Sequence, residues 1–173
     1  MKDHQRIHSS KSNEWYTPPI YIEAARIVLG GIDLDPASCR EANGHIRAAT
    51  YWTKEDDGLS RPWAGTVWLN PPYGKTNGKS NQYIWSQYLI DQYTKENIYA
   101  AILLVNACPG EKWFQPLWNY PICFTDHRIK FIAPDGTRNQ PTHSNAFVCF
   151  GKTKRFEEHF SKFGHIVTPR NSY

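Results

Sequence analysis

Little in this 173-residue chain points to a membrane, a metal or an oxidised scaffold. No apolar run approaches the roughly 20 residues that a bilayer-spanning helix needs, and the stretch Met1 to Asn13 is polar rather than signal-like. A soluble, cytoplasmic protein is expected. The cysteines, Cys39, Cys108, Cys123 and Cys149, form no C-x-x-C pair and have no histidine at ligand spacing, so free thiols are expected and no metal. Charge of one sign is barely in excess. Twenty Lys and Arg against 16 Asp and Glu leave +4, which permits an anionic partner without demanding one. Repeats and low-complexity tracts are absent, and nothing calls for an obligatory protein partner. What the chain has in quantity is aromatic side chains, with seven Trp, ten Tyr and eight Phe. Such residues build a core or stack on bases, and composition does not choose between those uses.

The length suits one α/β domain with a real core and leaves little room for a second. Residues 1–13 mix Lys, Arg, His, Ser and Asn without apolar periodicity and read as a flexible arm, leaving residues 14–173 as a single domain. Thr17-Pro18 offers a helix cap followed by proline at the first helical position; Ile20, Ala24, Ile27 and Val28 then share one helical face, and Gly30-Gly31 closes the helix. Ile32 to Asp35 reads as a short strand ending at Pro36, and a second strand is placed around Ile46 to Trp52. Thr66 to Leu69 reads as a strand that runs straight into Asn70-Pro71-Pro72-Tyr73-Gly74, where proline forbids its continuation. Lys75 to Ser80 is a basic, glycine-containing loop. An amphipathic helix is marked by Ile84, Trp85, Tyr88 and Leu89, and the apolar run Ala100 to Val105 has the character of a strand buried on both faces. After a short helical piece near Trp113 to Trp118, Arg128 to Ala133 and Asn145 to Phe150 flank a polar loop and suggest a late β-hairpin. Strands alternating with helices imply an α/β sheet whose ligand binds outside the carboxyl ends of the strands.

Asn70-Pro71-Pro72-Tyr73 is the strongest chemical signal. A residue before proline is pushed to extended geometry, so Asn70 is held with restricted directions, and the two prolines stiffen the turn. Its side-chain oxygen and the Pro71 carbonyl suit the two N–H bonds of an exocyclic amine, drawing the nitrogen lone pair out of ring conjugation without a general base. Tyr73 is placed to stack on the ring, at roughly 1–3 kcal/mol by analogy with other base–aromatic contacts. A bland alternative is a proline-rich turn with Tyr73 as core. Asp33 and Asp35 alternate along one strand, yet no partner motif supports acid–base hydrolysis. His127 and His143 are assigned no role, and Lys152, Lys154 and Arg155 read as a solvated face.

Three elements in order, Thr17-Pro18-Pro19, Asp35-Pro36-Ala37-Ser38 and Asn70-Pro71-Pro72-Tyr73, resemble the T-P-P, D/E-P-x and N/D-P-P-Y elements of amino-methyltransferases, and specifically the small phage-type DNA adenine methyltransferases, over most of residues 14 to 150. The resemblance implies a Rossmann-like methyltransferase sheet with flanking helices, S-adenosyl-L-methionine as cofactor and double-stranded DNA as partner. It places Thr17 and Trp15 near the methionine part of the cofactor. Asp35 would accept from its ammonium or ribose, with Pro36, Ala37 and Ser38 forming the turn, and Asp57 of Asp56-Asp57-Gly58-Leu59 would meet its adenine. Asn70, Pro71, Pro72 and Tyr73 become the catalytic set. The glycine-rich G-x-G usual after the acid is missing here, and no ribose-gripping acid follows the second strand, Glu41 and Asn43 being the candidates at hand. Lys75 and Lys79, with Arg128, Lys130 and Arg138 around the expected hairpin, are candidates for phosphates beside a displaced adenine. The same four motif residues also suit glutamine in a protein or adenine in RNA. A catalytically silent nucleic-acid-binding module is the alternative of a different class, and cofactor binding separates the two.

Overall fold

A computed structural model describes residues 15–139 and 143–169 of the chain; the arm expected at residues 1–13 lies outside them. Thr17 is followed by two prolines whose fixed φ suits a first helical turn, and α1 runs Pro19–Leu29 until Gly30 stops it. There follow β1 (Leu34–Asp35), α2 (Arg40–Ile46), β2 (Thr50–Tyr51) and β3 (Gly65–Leu69). Next come β4 (Lys75–Thr76), β5 (Lys79–Ser80), α3 (Asn81–Thr94) and β6 (Ile98–Asn106). A 3-10 turn at Gln115–Asn119 leads to β7 (Ile122–Thr125), β8 (Phe131–Ile132) and β9 (Arg138–Asn139). The described chain closes with β10 (Asn145–Phe150), α4 (Thr153–Phe160) and β11 (Gly164–Val167).

Seven strands make the central sheet in the order β11-β7-β10-β6-β3-β1-β2. β2, β1, β3 and β6 pair in parallel, while β10 runs against both β6 and β7, and β11 against β7. β7 therefore points with the parallel set, and five strands share one direction. This mostly parallel, helix-flanked sheet is the Rossmann-like α/β architecture expected. The apolar run Ala100 to Val105 lies inside β6 and is buried throughout, as a strand covered on both faces requires. On one side Tyr21, Val28, Phe156 and Phe160 of α1 and α4 pack on Trp68 and Phe147; on the other, Trp85 and Leu89 of α3 pack with Phe114 on Val67 and Leu103.

Four local expectations need correction. Ile20 and Ile27 are exposed, because the buried stripe of α1 is centred on Tyr21, Ile22, Ala25, Val28 and Leu29. Both sets satisfy the helical period, and the one that carries Tyr21 onto Phe147 and Phe163 buries the larger rings. Thr17 does not cap α1; the flanking residue is Pro18 and no side chain accepts there. The strand placed around Ile46 to Trp52 shrinks to Thr50–Tyr51, because Ile46 ends α2 and Arg47, with a left-handed φ of 51°, turns the chain before the strand can start. Finally, Asn145 to Phe150 is no hairpin arm but the strand β10 inside the main sheet, and the late hairpin is β8 with β9, Phe131 opposite Asn139 and Ile132 opposite Arg138. β10 is buried at every position, so its partners are the strands that cover it rather than a neighbour in sequence.

From β1 the chain moves outward to β2, then returns on the other side of β1 as β3. At that reversal the loops leaving β1 and β3 part in opposite directions and open a crevice beyond the carboxyl edge of the sheet.

Candidate active site

Asp35 is the last residue of β1 and Asn70 the first after β3, so adjacent parallel strands deliver both to one edge. Between the loops they begin lies a cavity of about 790 Å³, within the range of small-molecule sites. Trp15, Thr17 and the whole turn Asp35, Pro36, Ala37 and Ser38 line it. Asp57 lines it from the following loop, and Asn70, Pro71, Pro72 and Tyr73 from the far wall.

Asp35 is 1% exposed. Its Oδ1 accepts from the Ala37 N–H at 3.2 Å, an Asx-type bond that folds the D-P-A-S turn over the strand end. Burial pushes its carboxyl up to about 7 against the opposing hydrogen bonds of Ser38 and the Ala37 N–H, and no cation among the described residues offsets the desolvation. A buried acid of this kind, at the edge of a cavity, fits a cationic ligand group. The next loop is clamped onto this turn by close packing. A Cβ on Gly58 would meet the Pro36 carbonyl oxygen at 2.0 Å, so only glycine lets the two loops touch there. Asp56 spends its carboxylate on the Thr53 N–H and Thr53 hydroxyl, at 2.9 and 3.0 Å. That leaves Asp57, with φ of 52°, as the acid of the pair at the cavity.

Asn70 donates its amide nitrogen to Thr17 Oγ1 at 3.3 Å. The hydroxyl expected to cap α1 thus orients the carboxamide, and the Asn70 oxygen is the atom left to accept. Tyr73 meets Phe131 of β8 edge to face, with ring centroids 6.3 Å apart at 87°. Burial pushes the Tyr73 hydroxyl up to about 12, so it remains a neutral phenol near neutral pH. β8 is fixed in turn by the reciprocal Tyr16–Ile132 main-chain bonds of 2.8 and 3.0 Å, which tie the hairpin to the segment bearing Trp15 and Thr17.

Of the candidate phosphate residues, Lys75 lines the cavity, whereas Lys79, Arg128, Lys130 and Arg138 are exposed outside its lining. Glu41 and Asn43 do not reach the cavity, and the Asn43 carboxamide is committed to the Ala48 main chain, accepting from its N–H at 2.9 Å. Thr53 and Lys54 line the cavity beyond β2, at the position where the resemblance implies a ribose-binding acid. Asp33 lies at the opposite end of β1, where its carboxylate accepts from the Thr66 N–H at 2.8 Å and the Tyr99 hydroxyl at 3.3 Å, so it forms no acid pair with Asp35. His127 bridges Asp126 at 2.6 Å and Tyr21 at 2.7 Å, pinning the start of the Arg128–Lys130 segment to α1.

Sequence reasoning missed His45, Lys54, Asn81 and Trp85 as lining residues. Asn81 braces the loop, its N–H on the Gly74 carbonyl at 3.0 Å and its amide on the Tyr73 carbonyl at 3.3 Å. The hairpin of β4 and β5 was also missed, although Asn77-Gly78 between Thr76 and Lys79 is a two-residue turn signal that could have found it. No helix among the described residues is long and apolar enough to cross a membrane. A family model described as DNA N-6-adenine-methyltransferase (Dam) matches residues 4–165. No curated protein matches the chain.

Proposed function

The chain belongs to the DNA N-6-adenine-methyltransferase family, and from that premise we propose that it moves a methyl group from S-adenosyl-L-methionine to the exocyclic N6 of an adenine swung out of double-stranded DNA. The observation that carries this reading is the placement of Asp35 and Asn70 on adjacent strand ends, facing one cavity of about 790 Å³.

The donor set fits the cofactor: a buried carboxylate suits its ammonium or ribose, and the cavity holds the aromatic Trp15 and the acid Asp57 besides. When bound, the cofactor supplies an electrophilic sulfonium methyl. The remaining work falls to the protein. Asn70, steadied by Thr17, accepts one N–H of the adenine amine through its carboxamide oxygen, and the Pro71 carbonyl accepts the other. Both acceptors pull the amine toward a geometry with an available lone pair. Tyr73, held edge-on by Phe131, stacks on the base and offsets part of the few kcal/mol that extrusion costs. A tyrosine whose hydroxyl is pushed up to about 12 is not a base, so Tyr73 takes no part in removing the proton released on transfer. Positioning and desolvation are the protein's contribution.

Incubation with methyl-labelled cofactor and, separately, duplex DNA, RNA and protein acceptors tests the reading. Label is expected in duplex DNA as N6-methyladenine; label confined to RNA or protein contradicts the substrate, and no cofactor affinity contradicts the enzyme.

A further inference from the structure

From the catalytic loop the chain leaves directly as a narrow ribbon. β4 and β5 pair antiparallel with Lys75 opposite Ser80 and Thr76 opposite Lys79. Asn77 and Gly78 close the turn with φ of 50° and 76°, both left-handed, as a tight two-residue hairpin turn requires. Residues 75–79 are exposed, and no acidic residue occurs between Gly74 and Ile90. The base of the ribbon is braced: Thr76 donates its hydroxyl to Asn81 Oδ1 at 2.7 Å, and Asn81 holds the Tyr73 carbonyl in turn. This small sheet is separate from the seven-stranded one, and its first strand begins two positions beyond Tyr73.

We infer that this hairpin is the element that reads DNA sequence next to the target adenine, entering the major groove with Asn77 at its tip on a base edge and Lys79 on the phosphates. The inference rests on the proposed DNA substrate and deepens it. Dimensions agree. The two strand residues Lys75 and Thr76 carry the tip about 7 Å out from the root, and the Asn77 side chain extends that reach toward the floor of a B-form major groove, which is about 8.5 Å deep and wide enough for a two-stranded ribbon. Charge agrees as well, since two lysines and no carboxylate face a polyanion. The Asn77 carboxamide offers a donor and an acceptor side by side, the pair that matches N6 and N7 of adenine. Because the ribbon begins where the Asn70–Tyr73 loop ends, the base pairs within its reach are those flanking the extruded base. The brace through Asn81 couples any shift of the ribbon to the main chain of Tyr73.

The test maps methylated adenines in a duplex library after treatment with the wild-type protein, Asn77→Gly and Lys79→Gln, with cofactor affinity of each protein as the control for folding. Glycine tolerates the left-handed φ at position 77, so the turn survives while the carboxamide is lost. Asn77→Gly is expected to keep transfer but relax preference at one base pair beside the target by roughly 5- to 150-fold. Lys79→Gln should leave the site map intact and reduce the salt slope of duplex binding by about 1. An Asn77→Gly map identical to that of the wild type, at unchanged cofactor affinity, overturns the inference while leaving the methyltransferase reading standing. A wild-type protein that binds cofactor and modifies no DNA removes the substrate reading and this inference with it.

Discussion

The amide nitrogen of Asn70 rests on the hydroxyl of Thr17, 53 positions earlier in the chain, at 3.3 Å. This single bond joins the segment leading into α1 to the loop after β3 and decides which end of the carboxamide faces the cavity. Asn70 alone carries a donor and an acceptor that can exchange by a half-turn of the amide. With the nitrogen occupied, the oxygen is presented.

If that is what Thr17 does, removing its hydroxyl should slow transfer more than it weakens cofactor binding. Thr17→Val is expected to lower kcat by roughly 2- to 13-fold, the worth of one neutral hydrogen bond, with Thr17→Ser restoring most of it. Single-turnover rates beside a calorimetric Kd for the cofactor separate the two effects. An equal loss in both would make Thr17 a simple cofactor contact.

Asp35 gives a pH prediction with a definite sign. Its folded pKa of about 7 stands above the ordinary carboxyl value of 3.8, so the group's contribution to stability is full below that ordinary value and is lost progressively as pH rises from there through about 7. A cationic ligand prefers the ionised form, so cofactor affinity should rise over the same window in which the ligand-free protein loses stability. Asp35→Asn should flatten both profiles, bind cofactor roughly 10- to 150-fold more weakly, and melt no lower than the parent at alkaline pH. Thermal melts and titrations across that range check it; an undiminished pH dependence in the variant contradicts the assignment.

Tyr73 is predicted to act through its ring. Its hydroxyl, pushed up to about 12 by burial, stays protonated, so Tyr73→Phe should retain most transfer and show no new limb in the pH–rate profile. Tyr73→Ala should lose roughly 1–3 kcal/mol of base binding, read as a higher KM for duplex. A large drop in kcat for the phenylalanine variant would mean that the oxygen takes part.

Gly58 is predicted to be intolerant of any side chain. Its missing Cβ is the room that the Pro36 carbonyl occupies, so Gly58→Ala must separate the Asp56–Leu59 loop from the Asp35–Ser38 turn. Loss of cofactor affinity with destabilisation of about 1–3 kcal/mol is expected; a melting curve and cofactor titration matching the parent's would show that the loops do not need this contact.

What could be read from the sequence was whatever local stereochemistry settles. Pro36 and Pro71 each end a strand for reasons that need no tertiary information, and two such ends in an alternating α/β pattern already imply a carboxyl-edge crevice. The run Ala100 to Val105 has the length and continuous apolarity of a strand covered on both faces, and β6 contains it. By contrast, Asn145 to Phe150 is equally apolar, and no local property tells a central strand from a hairpin arm; its neighbours β6 and β7 are chosen by the packing of the whole sheet. Ile20 and Ile27 failed for a related reason, two overlapping stripes on one helix being equal in period and unequal only in what they meet. His45 and Lys54 come to the cavity through α2 and the loop after β2, and no motif marks them. Asn77-Gly78 was legible as a turn, and its importance emerges from its place one short strand away from Tyr73.

The most direct measurement of the central proposal is the modified nucleoside itself. Duplex DNA treated with wild-type protein and S-adenosyl-L-methionine, then digested to nucleosides and resolved by mass spectrometry, should contain N6-methyldeoxyadenosine, and DNA treated with Asn70→Ala should contain none although that variant still binds the cofactor. Methylation of another base or of no base by the wild-type protein, or undiminished N6-methyladenine from Asn70→Ala, would contradict it.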